Sequence, residues 1–190
     1  MLHKFLLSAN FHALLSKIDD DLTLAEQKKG CPYCGEKLNN SNYPRSPFGV
    51  ATPFRDYYQI RRSLCCAKCR KRMTPPSVRF FGRRWYCAPI FLFISALIGK
   101  PTGRRFAAIQ QHLGLPNFSK KTWDRWRLWW HEYFPAHPFW KKMKGLIPID
   151  AHQGPLPVSV LAIFSGRLEK RIIRALKFFS PMTVSIFRAI

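Results

Sequence analysis

The chain has 190 residues, 47% of them hydrophobic, and carries 32 Lys and Arg against 10 Asp and Glu, a net charge of +22. That apolar content excludes a chain disordered throughout, and the length allows one modest domain or two small ones rather than a single large core. The charge calls for a polyanionic partner, nucleic acid or an anionic membrane, because self-repulsion of this size is costly without counter-charge.

Residues 1–29 are predicted as one or two N-terminal packing helices. Phe5, Leu6, Ala9, Phe11, Leu14, Leu15, Ile18 and Leu22 recur with an approximate 3.6-residue period, interrupted near Asp19-Asp20-Asp21. Lys4 precedes an apolar stretch, as in a secretory signal, but Asn10 and His12 interrupt it and no small-residue cleavage pattern follows. A cytoplasmic location is therefore expected. Up to residue 39 the charge is balanced, five Lys against five acids. Residues 40–145 then carry 21 Lys or Arg against only Asp56, Asp124 and Glu132.

Residues 30–82 are predicted to form a zinc ribbon. Two Cys-x-x-Cys pairs, Cys31-Pro-Tyr-Cys34 and Cys66-Ala-Lys-Cys69, supply four thiolates for one structural Zn2+ in a tetrahedral site. Each pair can close a tight knuckle, and Gly35 after the first supplies the positive φ such a turn often needs. The 31 intervening residues suffice for short β hairpins. A thioredoxin-like redox pair would open a helix after a βαβ strand, and the Pro- and Asn-rich flanks do not suggest that; a disulfide framework lacks its secretory context. Cys65 could replace Cys66, but only Cys66 keeps the two-residue spacing to Cys69. Cys87 falls in an apolar run and is expected in the core. Tyr57–Leu64 is the best strand candidate, carrying Arg61 and Arg62 as expected DNA contacts. In Arg70-Lys71-Arg72-Met73-Thr74-Pro75-Pro76-Ser77-Val78-Arg79-Phe80-Phe81 basic groups interleave with rings, which suits a surface that tracks a phosphate backbone. Lys68, Arg70, Lys71, Arg72 and the following Arg83 and Arg84 are assigned to that contact.

Residues 85–134 are predicted as a buried helix followed by a helix-turn-helix. Trp85–Gly99 is uncharged, but it is shorter than the roughly 20 apolar residues of a membrane-spanning helix, and Pro89 suits the first turn of a buried one. Phe106, Ile109 and Leu113 share a face, Gly114 ends the first helix, and Ser119 caps the second, with Phe118 and Trp123 as a hydrophobic staple. Trp123, Trp126, Trp130 and Phe134 form an inward stripe opposite Lys121, Arg125, Leu128 and Glu132. Lys120 and Lys121 stand in the first turn, where the helix dipole disfavours cations, so a function is inferred for them. Lys120, Lys121, Asp124 and Arg125 would face phosphates and base edges in a major groove, with Arg104 and Arg105 as further expected DNA contacts. Residues 135–190 read as a linker ending in a basic amphipathic helix, Arg167–Phe179, with Leu168, Ile172, Leu176 and Phe179 opposite Lys170, Arg171, Arg174 and Lys177. The fold class expected is thus α+β: a small ribbon, a mostly helical region and a C-terminal amphipathic helix.

The phrases Gly30-Cys31-Pro32-Tyr33-Cys34-Gly35, Tyr43-Pro44-Arg45, Arg70 to Phe80 and Thr122-Trp123-Asp124-Arg125-Trp126-Arg127-Leu128-Trp129-Trp130 carry a resemblance over roughly residues 25–180. The chain resembles a family of short bacterial proteins that join a zinc ribbon to a helix-turn-helix, and more broadly the DNA-binding halves of insertion-sequence transposases and their accessory proteins. The resemblance implies a DNA-binding, transposase-associated accessory or regulator, with double-stranded DNA and a recombinase or second copy as partners. Catalysis is not expected. Only Asp150 and Glu169 follow the helix-turn-helix, too few for a three-carboxylate, two-metal nuclease, and His152 lacks a nearby nucleophile. Two alternatives are a transposase fragment whose catalytic part is encoded elsewhere and a basic membrane-associated protein.

Overall fold

The computed structural model describes residues 4–81, 86–97, 103–115, 118–149 and 153–184. Arg83 and Arg84 lie outside these, as do Asp150 and His152 and the Arg105 side chain. The fold is α+β. A short 3₁₀ turn, Lys4–Leu7, leads into α1, Ala9–Lys29, which buries Phe11, Leu15 and Ile18 as the periodicity predicts. The three aspartates do not interrupt it. Asp19 is turned inward beside Thr23, so the acidic run belongs to the helix.

The ribbon is a three-stranded antiparallel sheet in the order β1 (Leu38–Asn40), β4 (Leu64–Cys66), β5 (Arg72–Met73), with Leu38 opposite Cys66 and Leu64 opposite Met73. Between β1 and β4 the chain runs out along a second antiparallel pair, β2 (Tyr43–Pro44) and β3 (Ile60–Arg61). The strand predicted over Tyr57–Leu64 is shorter than expected. Pro53 opens a 3₁₀ helix, Thr52–Tyr58, that takes Tyr57 and Tyr58 out of the sheet and buries Phe54 and Tyr58. Residues 43–59 therefore form an arm that reaches away from the ribbon.

After the ribbon, β6 (Phe80–Phe81) pairs with β7 (Tyr86–Cys87), and α2, Ala88–Leu97, follows. Its Ile90, Phe91 and Leu92 are buried, and no helix among the described residues is long and apolar enough to cross a membrane. α3, Gly103–His112, ends at Gly114, which takes φ 61° as predicted for a left-handed stop. α4, Lys120–Leu128, starts at Ser119, whose hydroxyl accepts from the Thr122 N–H at 3.1 Å. Phe118 and Trp123 meet at 6.3 Å between ring centroids. The helix then widens into a π turn, Trp129–Tyr133, before α5, Phe134–Ala136. Pro135 explains the widening: it has no N–H to donate to the carbonyl four residues back, and its ring crowds that carbonyl.

The segment past Pro135 is not a linker. α6 (Pro138–Met143) buries Phe139 and Trp140, α7 (Val158–Ile163) buries Val160 and Leu161, and α8 (Leu168–Phe179) buries Ile172, Leu176 and Phe179 along its predicted stripe. These side chains join Leu6, Phe11, Phe80, Phe91, Trp123, Trp126, Trp130 and Phe134 in one continuous core. The expectation against a single large core is thus corrected. The short, Pro-punctuated helices contribute isolated aromatic anchors that no sequence period reveals. A second, small cluster of Cys31, Leu38, Leu64 and Cys66 lies inside the ribbon.

Candidate metal centre and basic surface

Two knuckles bring four sulfurs together. In the first, the Gly35 N–H donates to the Cys31 carbonyl at 2.8 Å and the Cys31 N–H to the Glu36 carbonyl at 2.8 Å. In the second, the Cys66 N–H donates to the Lys71 carbonyl at 3.0 Å, and the Cys69 N–H points at the Cys66 sulfur at 3.4 Å. The knuckles are equivalent in backbone: Gly35 has φ 74° and Arg70, in the matching place after the second pair, has φ 61°. The β1–β4 register then sets one knuckle over the other, reinforced by the Ala67 N–H on the Lys37 carbonyl at 3.0 Å.

Sγ of Cys31 lies 3.6 Å from that of Cys69, Sγ of Cys34 lies 3.5 Å from that of Cys66, and all four fall within 4.8 Å of one another. These separations are far too long for disulfides, at about 2.05 Å. They are close to the roughly 3.8 Å edge of a tetrahedron of thiolates about 2.3 Å from a central ion. The group can hold one metal ion, and four sulfur donors are compatible with zinc. Cys65 stays outside: strand alternation turns it to the other face of β4, where its thiol meets the Arg70 carbonyl at 3.4 Å. Cys87 is buried in the main core as expected.

The protonation of Cys66 and Cys69 also suits a cation. Burial pushes the Cys66 thiol up, but the N–H groups of Cys69 and Lys68 and the neighbouring Cys34 outweigh it and bring it down to about 6. Cys69 is held up at about 12: the Lys71 N–H favours its thiolate, while burial and the sulfurs of Cys66, Cys31 and Cys34 oppose a second negative charge. A cation shared by all four removes that opposition.

The expected DNA contacts divide. Lys68, Arg70, Lys71 and Arg72 are exposed on the second knuckle and β5, with Lys71 Nζ 4.1 Å from the Tyr33 ring centroid and Arg72 bonded to Ser41 Oγ at 2.9 Å. Arg104 on α3 and Lys120, Lys121 and Arg125 on α4 are exposed as well. Arg61 is not a surface contact. It is fully buried, donating to the Pro75 carbonyl at 2.6 Å and lying 5.6 Å from the centre of the Phe80 ring. Arg62 is half-buried and ion-paired with Asp20 at 2.6 Å, which neutralises much of the charge it would offer a phosphate.

The Thr-Pro-Pro-Ser-Val-Arg motif is likewise structural at its far end. Asp19, with no exposed surface, accepts from Ser77 Oγ at 2.6 Å, the Val78 N–H at 2.7 Å and Arg79 Nε at 2.8 Å. Arg79 also donates to the Tyr57 and Ile60 carbonyls, and Phe80 and Phe81 are buried. The charge of Arg79 thus pins α1, the arm and the ribbon together. Two exposed arginines of the arm, Arg45 and Arg55, were not among the expected contacts; Arg45 closes the Tyr43-Pro44-Arg45 phrase, and Arg55 had no signal beyond the basic composition of the segment. They line a cleft with Arg125.

Comparison with family models, with curated proteins and with solved structures gives no match, so the functional reading rests on the tetra-cysteine centre and the basic surface themselves.

Proposed function

We propose that the chain is a non-catalytic, zinc-dependent protein that binds double-stranded DNA, an accessory or regulatory factor of a mobile element in line with its resemblance to transposase-associated proteins. Zinc is the ion that four thiolates in a closed structural site favour, since hard cations prefer oxygen ligands. The ribbon presents Lys68, Arg70, Lys71 and Arg72 to the phosphate backbone, while α4 enters the major groove with its N-terminal residues.

The observation that carries the reading is the two-sidedness of α4. Trp123 and Trp126 are buried, whereas Lys120 and Lys121 are exposed in its first turn, where cations oppose the helix dipole, and Arg125 is exposed further along the helix. A phosphate or a guanine edge supplies the counter-charge.

The test is metal analysis of protein purified without added metal, with binding to duplex DNA across a salt series. One zinc per chain and affinity falling steeply with salt are expected. Arg125→Ala should weaken a preferred site more than random DNA, by about 1 to 3 kcal/mol. A metal-free folded protein, or a flat salt response, overturns the reading.

A further inference from the structure

One face of α1 packs on the core, and the other carries Asn10, Leu14, Lys17, Asp21, Leu24 and Lys28, all exposed. Their spacing alternates between four and three residues, the repeat of a coiled-coil seam, and at 3.6 residues per turn they fall within an arc of about 80°. Leu14 and Leu24 are 41% and 53% exposed, on a helix face that ordinarily carries only polar side chains. Asp19 holds Arg79 and Asp20 holds Arg62, while Asp21 points outward and pairs with no described cation. Lys17 likewise makes no ion pair with a described residue.

The seam is symmetric about position 19. Leu14 and Leu24 lie five residues to either side of it, Lys17 and Asp21 two, and Asn10 and Lys28 nine. Two copies of α1 laid antiparallel about a two-fold axis at that level set Leu14 against Leu24 of the second copy, and Lys17 against Asp21 of the second copy, each contact being made twice. Asn10 meets Lys28 of the second copy at both ends, an amide oxygen facing an ammonium. A parallel, in-register pair would instead bring Lys17, Asp21 and Lys28 each against its own like charge. Charge therefore selects the antiparallel arrangement. It also selects the surface: residues 40–145 carry the basic excess that makes two copies repel, whereas residues 1–39 hold five Lys against five acids. The face is presented in fixed form, because Phe11, Leu15 and Ile18 anchor the opposite side of the helix in the core and Asp20 ties it to Arg62 at 2.6 Å.

We infer that the outer face of α1 is an interface with a second copy of this chain, an antiparallel helix pair in which the leucine layers supply affinity and the reciprocal Lys17–Asp21 layers fix direction and register. Two of its six layers are apolar, so the contact is small and a dissociation constant of roughly micromolar order is expected. The inference goes beyond the DNA-binding reading and stands apart from it, since its test contains no DNA.

The experiment is sedimentation equilibrium of the full chain at physiological ionic strength over a micromolar concentration series. A reversible monomer–dimer equilibrium is expected. Leu14→Ser/Leu24→Ser alters exposed side chains, so it should keep the far-ultraviolet spectrum of the wild type while abolishing the dimer. Lys17→Asp alone, or Asp21→Lys alone, should weaken association by about tenfold, because each change is met twice and turns attraction into repulsion. The double swap Lys17→Asp/Asp21→Lys should return association to wild-type strength. A chain that stays monomeric throughout the series overturns the inference. A dimer that survives the leucine variant, or one that the double swap fails to restore, overturns it as well, since the contact then lies elsewhere or runs in another direction.

Discussion

At the scale of single residues, what matters is which charges have lost water. Arg79 and Asp19 form an ion pair with side chains 4% and 0% exposed, so Asp19→Asn leaves a buried guanidinium without its counter-charge. A loss of about 3 to 5 kcal/mol is expected in urea unfolding, since removing one partner of a buried pair strands the other; an unchanged midpoint would show that the pair does not hold the ribbon to α1. His12 makes a second buried polar link, with Nε2 donating to the Leu6 carbonyl at 2.8 Å and Nδ1 accepting from the Tyr58 hydroxyl at 2.9 Å. Burial lowers its pKa below the usual 6.5, partly opposed by the Leu6 carbonyl. The native state therefore resists a proton that the unfolded chain accepts near pH 6.5. Stability from this group is complete above that value and is lost as pH falls below it. Melting temperatures followed from about pH 7.5 down to about 5.5 should decline less steeply for His12→Gln than for the wild type, whose unfolded chain takes up the imidazole proton in that range; parallel curves would remove His12 from the acid response. Neither Asp19 nor His12 announced itself in sequence, because a residue's burial is decided by segments distant along the chain, such as Ser77 and Tyr58.

Elements were readable in proportion to how local their rules are. The cap, the staple, the left-handed stop at Gly114 and the stripe Trp123, Trp126, Trp130, Phe134 all depend on neighbours within a turn or two, and all are present. Ser119→Ala should cost about 1 kcal/mol in thermal unfolding, with Ser119→Asp restoring it; equal stability of both variants would mean that the hydroxyl bond to Thr122 contributes nothing. Elements shorter than two helical turns were misread. Thr52–Tyr58 has β-compatible aromatics but winds as a 3₁₀ helix after Pro53, and α6 and α7 hide in a stretch whose prolines and glycines suggest a linker. A six-residue helix shows too few repeats for its period to register, and its conformation is set by the surface it packs on.

On the scale of the whole molecule, two cores of very different size share one chain. The ribbon's own apolar cluster is Cys31, Leu38, Leu64 and Cys66, with only Cys69 and Met73 packed on it, whereas the main core runs from Leu6 to Phe179. So small a cluster cannot offset the entropy of ordering the sheet without a metal. Chelation should therefore speed hydrogen exchange in Leu38–Asn40 and Leu64–Met73 while the tryptophan emission of the main core stays unshifted; a single cooperative collapse of both would contradict this separation. The cysteine spacing, the Gly114 turn between α3 and α4 and the α+β class were determined by the sequence alone, because ligand spacing, capping and helical period act within a few residues. Only the tertiary structure decided that Arg61 and Arg79 turn inward, that the arm docks on the turn between α3 and α4, and that one core unites the helices, because burial depends on contacts between segments tens of residues apart.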